Sequence, residues 1–261
     1  RRSLGHTSAS CMSKPRVTFI HGLESGVNGG KHRFLMQHFH DVACVDMDMS
    51  LLKLSKTNGI LRNIMINSLC TLPWHVIGVG VKASLEGCLE RQLPELEVTR
   101  QRGGVVIASS WGGAVATLAL ARGTWRGPTI LIAPAYKLAV DRGIYDSGER
   151  SDAVYEAIKQ QLASGALQSD HIVIVHGLLD NTVPVDHSRD FAAKTGVRLV
   201  EVPEGDHKMK CLLEGEEPQL KTLIEDVYSK SLALGGTPWH MEAPGTASVG
   251  MSGQLRLAQV R

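Results

Sequence analysis

Three side chains far apart in this sequence have types and surroundings that could do acyl-transfer chemistry. "VVIASSWGGAVATLALARG" begins at Val105 and holds a serine at a junction between a buried strand and an apolar helix. A nucleophile presented on such a sharp turn needs small residues two before and two after it. Ser110 has Ala108 and Gly112 at those places, whereas Ser109 would have Ile107 and Trp111, so Ser110 is the candidate. Gly113 then lets the helix approach the strand, and the turn sets the backbone N–H of Trp111 beside the serine at a helix start, a favourable place for negative charge.

A serine hydroxyl is a weak nucleophile at neutral pH and needs an imidazole to take its proton and a carboxylate to orient that imidazole. The expected chain order is Ser, then Asp or Glu, then His. "HGLLDNTVPVDHS" places Asp180 in the turn after a strand, and "PEGDHKM" places His207 in a glycine-containing loop after the next one. Asp186 and Asp206 compete for the acid role. Asp186 reads as the cap of a helix starting at His187, and Asp206, as the neighbour of His207, should point away from it. His21, His176 and His187 compete as bases, although His176 precedes the acid in the chain.

The stretch "HGLESGVNGGKH", residues 21–32, poses a separate question. A phosphate-cradling loop would need glycine five before Gly30 and a hydroxyl after Lys31. Ser25 and His32 stand there instead, and the spacing of Gly22, Gly26, Gly29 and Gly30 does not fit a dinucleotide fingerprint. A strand ending in His-Gly and a tight turn also leaves backbone N–H groups free to receive an oxyanion, which suits a loop facing an elbow serine. Lys31 would then fix the start of the first helix or attract an acidic substrate group.

These residues need a scaffold that brings distant loops to one rim. Short apolar runs recur at 17–20, 42–47, 105–109, 129–133, 171–175 and 197–202, and four of them are nearly continuous in apolar residues, as in strands covered on both faces. Helical candidates lie between them at about 31–39, 82–93, 112–122, 150–163, 187–195 and 216–229. Val154, Ile158 and Leu162, for example, share one helix face. Such alternation predicts an α/β fold, a three-layer α/β/α sandwich around a mostly parallel six-stranded sheet. Chemistry in such a sheet sits at the carboxyl ends of the strands, where Ser110, Asp180 and His207 all fall. Residues 48–80 have no clear period and read as an added helix and loop.

"FIHGLESG", "ASSWGGAVA", "HGLLDNTVP" and "GDHKM" together resemble the α/β-hydrolase superfamily, and more narrowly its small lidless esterases of the YqiA type. The resemblance spans about residues 16–229. It implies strand order 2-1-3-4-5-6, a minimal sheet without the first two strands of the full eight-stranded fold, Ser110 as nucleophile, Asp180 as acid, His207 as base, and the N–H groups of Leu23 and Trp111 as the oxyanion hole. Trp111, the 48–80 insert and the C-terminal segment depart from the family pattern; the tryptophan would shape the pocket and the insert could cover it. The stretch between the fourth and fifth strands is too short for a large lid.

Bulk properties agree with a globular domain. Among 261 residues, 43% are apolar and 21% charged, and the net charge is +2. Nothing suggests a nucleic-acid footprint or a membrane span. Five scattered cysteines without a C-x-x-C pair suggest free thiols in a reducing, cytoplasmic setting rather than disulfides or zinc. Residues 1–15 read as a disordered tail, with organelle targeting or a start at Met12 as alternatives; 16–230 form the hydrolase domain; 231–261 read as a flexible tail. The expected activity is hydrolysis of a small-molecule carboxylic ester or thioester through an acyl-enzyme, with no cofactor and no metal. The alternative is a catalytically silent binding or scaffold protein on the same fold.

Overall fold

The computed structural model describes residues 14–23, 25–49, 73–141 and 151–233. The expected tails, at 1–13 and 234–261, and residues 50–72 of the expected insert lie outside the described residues. The apolar runs form strands β1 (Val17–Ile20), β2 (Val42–Ala43), β3 (Val105–Ser109), β4 (Thr129–Ile132), β5 (Ile172–Gly177) and β6 (Arg198–Val202). They pair in the order β2-β1-β3-β4-β5-β6, and every pair is parallel. Ile20 pairs with Ala108, Ser109 with Ile132, and Gly177 with Val202. The carboxyl ends therefore stand nearly level, and the loops that follow leave the sheet along one rim.

Seven helices cover the sheet among the described residues: α1 (Gly30–His38), α2 (Pro73–Gln101), α3 (Trp111–Ala121), α4 (Tyr136–Asp141), α5 (Ser151–Ala163), α6 (Val185–Thr195) and α7 (Gln219–Ala233). The two-residue period of the strands divides the core into two. Val105, Ile107, Ile130, Ile132, Val173 and Val175 pack with apolar residues of α1 and α7. Val106, Ala108, Leu131 and Ile174 pack on the opposite face with α2 to α6. Alternate residues thus serve opposite layers, which explains why these strands read as unbroken apolar runs. Each fully buried large aliphatic residue contributes about 1.5–3 kcal/mol relative to exposure.

Several boundaries differ from expectation. The second strand is not 42–47: only Val42 and Ala43 ladder with β1. Beyond them the backbone finds side chains, with Gln92 Nε2 donating to the Val45 carbonyl and the Met47 N–H to His21 Nε2. The helix expected at 82–93 runs instead from Pro73 to Gln101, with Pro94 inside it. Pro94 and Glu90 are both exposed, so water can take the Glu90 carbonyl that proline leaves without a donor. The buried face continues past the proline through Leu89, Gln92, Leu96 and Thr99. The fourth strand stops before Ala133, which takes a left-handed φ of 45°. His171 lies in a short 3-10 turn (Ser169–His171), so β5 starts one residue later and runs to Gly177. Helix α6 begins at Val185 with Pro184 as its N-cap; Asp186 does not cap it but lies in its first turn, paired with Arg189 at 2.9 Å. The helix expected at about 216–229 is α7, Gln219–Ala233, whose last turns still bury Val227 and Ser231.

The approach of α3 to the sheet sets a steric limit at its start. A Cβ on Gly112 would stand 2.1 Å from the Ile20 carbonyl oxygen, and one on Gly113 would stand 2.8 Å from Pro134 Cα. Gly112→Ala is therefore expected to cost about 1–3 kcal/mol, read as a lower urea midpoint. Gly30→Ala, whose new Cβ meets nothing within 4 Å, is expected to stay within about 0.5 kcal/mol of the parent.

Candidate active site

Ser110 occupies the turn between β3 and α3 with φ 55° and ψ −115°. An L-residue in such a conformation is strained by about 1–3 kcal/mol. Neighbouring backbone holds it there. The Ser110 N–H donates to the Ile132 carbonyl at 2.9 Å, and its own carbonyl accepts from Ala114 at 3.1 Å and from Ala135 at 3.0 Å. The turn lifts the side chain above the rim, toward the loops that follow β5 and β6.

Those loops carry the other two groups. His207 Nδ1 lies 2.7 Å from Asp180 Oδ2, and His207 Nε2 lies 3.0 Å from Ser110 Oγ. An ionised carboxylate only accepts, so Nδ1 carries the proton and Nε2 is free to accept from the hydroxyl. Ser110, Asp180 and His207 thus form one hydrogen-bonded chain from three strand ends. Ser109, the rejected neighbour, is the last residue of β3 and is buried. Asp206 instead accepts from the Met209 N–H at 2.8 Å and shapes the His207 loop.

A close backbone crossing brings acid and base together. A Cβ on Gly177 would lie 2.1 Å from the Gly205 carbonyl oxygen, and one on Gly205 would lie 2.8 Å from Gly177 Cα. The Leu178 N–H donates to Val202 O and the Leu179 N–H to Gly205 O, both at 2.9 Å, pinning the two loops together. From α1, Lys31 Nζ donates to the Lys208 carbonyl at 2.8 Å. Lys31 therefore ties the first helix to the His207 loop. Burial lowers its ammonium to about 8, although Asp206 and Asp180 act in the opposite sense.

The Asp180 side chain is fully buried. Its Oδ1 accepts from the backbone N–H groups of Thr182 at 2.8 Å and Val183 at 2.9 Å. Burial alone would raise its pKa, but the His207 bond and the two N–H groups outweigh it and leave the carboxyl below the ordinary aspartate range. His176 lies beneath this loop, with Nε2 donating to the Val183 carbonyl at 2.9 Å and Nδ1 2.6 Å from the Ser188 hydroxyl. Burial pushes its pKa down, so it is a neutral support rather than a base. His21 has a matching part under the β1 loop. Its Nε2 accepts from Met47 N at 3.1 Å, so its Nδ1 donates to the Gly22 carbonyl at 2.8 Å.

Ser25 Oγ also donates to the Gly22 carbonyl, at 2.9 Å. That carbonyl and the Leu23 N–H belong to one planar peptide and point in opposite directions. Holding the carbonyl therefore aims the N–H. Neither the Leu23 nor the Trp111 N–H has a hydrogen-bond partner among the described residues. Gly22 sits against the elbow, where an added Cβ would be 3.3 Å from both Ser109 O and Ser110 Cβ. Sequence reasoning gave His21 and His176 no supporting part, yet a signal was present: "HGL" occurs at the carboxyl ends of both β1 and β5, with a buried histidine and a close-approach glycine each time.

Two cavities meet at Ser110 and His207. One, of about 400 Å³, lies toward α1 and is lined by Gly29, Gly30 and Lys31 as well as by residues of the His207 loop. The other, of about 360 Å³, is lined by Leu23, Trp111, Leu138, Ala139 and Val183. Trp111 packs at 6% exposure into the core beneath this second cavity, which is how it shapes the site. Burial pushes the Cys44 and Cys88 thiols up to about 12, which leaves them poor nucleophiles. Among the described residues no group of His, Cys, Asp and Glu is arranged to hold a metal ion, and no helix is long and apolar enough to cross a membrane.

Comparison with solved structures fits this architecture. A protein from Xanthomonas campestris pv. campestris assigned to the alpha/beta hydrolase superfamily is 16% identical at a TM-score of 0.51, the match covering 84% of this chain and 99% of that one. The ydeN gene product from B. subtilis is 15% identical at a TM-score of 0.51, covering 82% and 99%. The sequence itself matches no protein-family model and no curated protein. The chain has the α/β-hydrolase fold.

Asp180 gives a pH prediction. A carboxyl held below its ordinary range contributes stability that is full above that range and is lost as pH falls through its folded value. Asp180→Asn is expected to make the fall in unfolding midpoint between about pH 4 and pH 2 shallower than in the parent chain. Thermal melts across that range measure it.

Proposed function

We propose that this chain is a serine hydrolase acting on carboxylic esters or thioesters through an acyl-enzyme. The observation that carries this reading is the chain of hydrogen bonds from Ser110 Oγ to His207 Nε2 and from His207 Nδ1 to the buried Asp180. The fold shared with proteins assigned to the alpha/beta hydrolase superfamily supports it. So do the geometry of the elbow and the two unpartnered N–H groups beside it.

In the first half-reaction Ser110 Oγ attacks the carbonyl carbon while its proton passes to His207 Nε2. Asp180 keeps Nδ1 protonated and stabilises the imidazolium that forms. The carbonyl oxygen becomes an oxyanion and is received by the N–H groups of Leu23 and Trp111, each such donor contributing about 3 kcal/mol in comparable sites. The intermediate collapses, His207 gives the proton to the departing alcohol or thiol, and the acyl group remains on Ser110. Water then repeats the sequence: His207 takes its proton, the hydroxide adds to the acyl carbon, and Ser110 leaves with its proton restored.

A fluorophosphonate probe tests the proposal. Labelling of the folded chain, lost in Ser110→Ala together with a fall of at least about 10³-fold in turnover of p-nitrophenyl or thioester substrates, is the expected result. Absence of labelling in folded, unaltered protein would favour a silent binding protein.

A further inference from the structure

The two cavities at Ser110 differ in charge. The wall toward α4 and α6 is formed by Leu23, Trp111, Ala135, Leu138, Ala139 and Val183, and among the described residues its one titratable group is His207. The wall toward α1 carries Lys31, Lys208 and Lys210, with no described acidic residue among its lining. We infer that the α1-side cavity receives an anionic part of the substrate, a carboxylate or a phosphate, while the apolar cavity holds the remainder. This deepens the hydrolase reading by naming the substrate class; binding in the cavity can be measured without turnover.

Three features support the assignment. First, the lysines come from two parts of the chain, α1 and the His207 loop, and all three line the cavity, so their charges act on it together. Lys208 and Lys210 make no ion pair among the described residues, and Lys31 uses one of its three N–H donors on the Lys208 carbonyl. Second, α1 starts at the same wall. Gly29 is its N-cap and supplies no side-chain bond, so the first N–H groups of the helix are not capped by it. Gly29 and Gly30 both line the cavity, where the absence of side chains lets a ligand come close to the backbone. The helix and the lysines thus favour the same sign of charge. Third, Lys31 is only partly exposed and its ammonium is already held at the wall by the Lys208 carbonyl, so little side-chain freedom remains to be lost when an anion arrives.

Two described acids act on Lys31 without lining the cavity. Asp180 is fully buried and faces His207. Asp206 is turned into its own loop by the Met209 N–H.

Two matched pairs of ligands test the inference. Phenyl hydrogen glutarate and its methyl ester place or remove a charge on the acyl side. 4-(Butyryloxy)phenyl phosphate and phenyl butyrate do so on the leaving-group side. Binding is measured by calorimetry at low salt to full-length Ser110→Ala, which cannot complete the acyl transfer. In at least one pair the anion is expected to bind about tenfold more tightly than its neutral partner, with the preference shrinking as salt is added. Adding Lys31→Gln, Lys208→Gln and Lys210→Gln to the same background should abolish the preference while circular dichroism shows the fold retained. If the triple change unfolds the chain, the three single changes are measured instead, and each is expected to reduce the preference. Equal binding of charged and neutral members in both pairs, or a preference that survives loss of the lysines, would overturn the inference. The fluorophosphonate result is independent of these titrations. A chain that binds the anions but takes no label keeps the cavity and loses the hydrolase; a labelled chain indifferent to charge does the reverse.

Discussion

The strained backbone of Ser110 is the constraint on which the site depends. A left-handed serine with φ 55° is tolerable only where the surrounding structure leaves it no alternative. Ile132 and Ala135 bind its N–H and carbonyl from the β4 side, and Ala114 binds the same carbonyl from α3. Each bond contributes about 0.5–1.5 kcal/mol net, enough together to offset the strain. The level strand ends then do the rest. Because β1, β3, β5 and β6 run parallel, the loops bearing Leu23, Ser110, Asp180 and His207 all emerge on the same edge.

Contact between these loops is governed by glycine at two crossings. At the first, Gly22 lies against Ser109 and Ser110; at the second, Gly177 lies against Gly205. Both follow a buried histidine whose ring holds a backbone carbonyl of the loop above it, Gly22 for His21 and Val183 for His176. The β1 and β5 loops are thus built alike, although one presents an N–H and the other a carboxylate. The imidazoles of these two histidines are structural, and that of His207 is the one left facing the serine hydroxyl.

Much of this could be read from the sequence because its physical causes are local. Central strands covered on both faces must be apolar throughout, and an elbow serine must have small flanks, so β3, β4, β5 and Ser110 announced themselves. The order of Asp180 and His207 followed from their places after strands. Other features depend on environment. Proline disrupts most helix interiors, yet Pro94 is harmless where water can reach the Glu90 carbonyl. The apolar residues beyond Ala43 suggested more strand, but their backbone groups bond to His21 and Gln92. Asp186 resembled a cap, whereas Pro184 had already set the helix entry. The bond from Lys31 to the Lys208 carbonyl joins residues with no local pattern to link them; only the folded sheet brings α1 to the β6 loop.

The pair of rings around Asp180 also determines where an incoming proton can reside. His176 Nε2 stands 3.4 Å from Asp180 Oδ2, close enough to compete for its charge. Yet its Nε2 proton is already shared with Val183, and its Nδ1 is engaged by Ser188. Converting it to a cation would reverse the Ser188 bond and leave a charge where the side chain is fully buried. The carboxylate is therefore kept in reserve for one imidazole, the ring that opens toward the cavities.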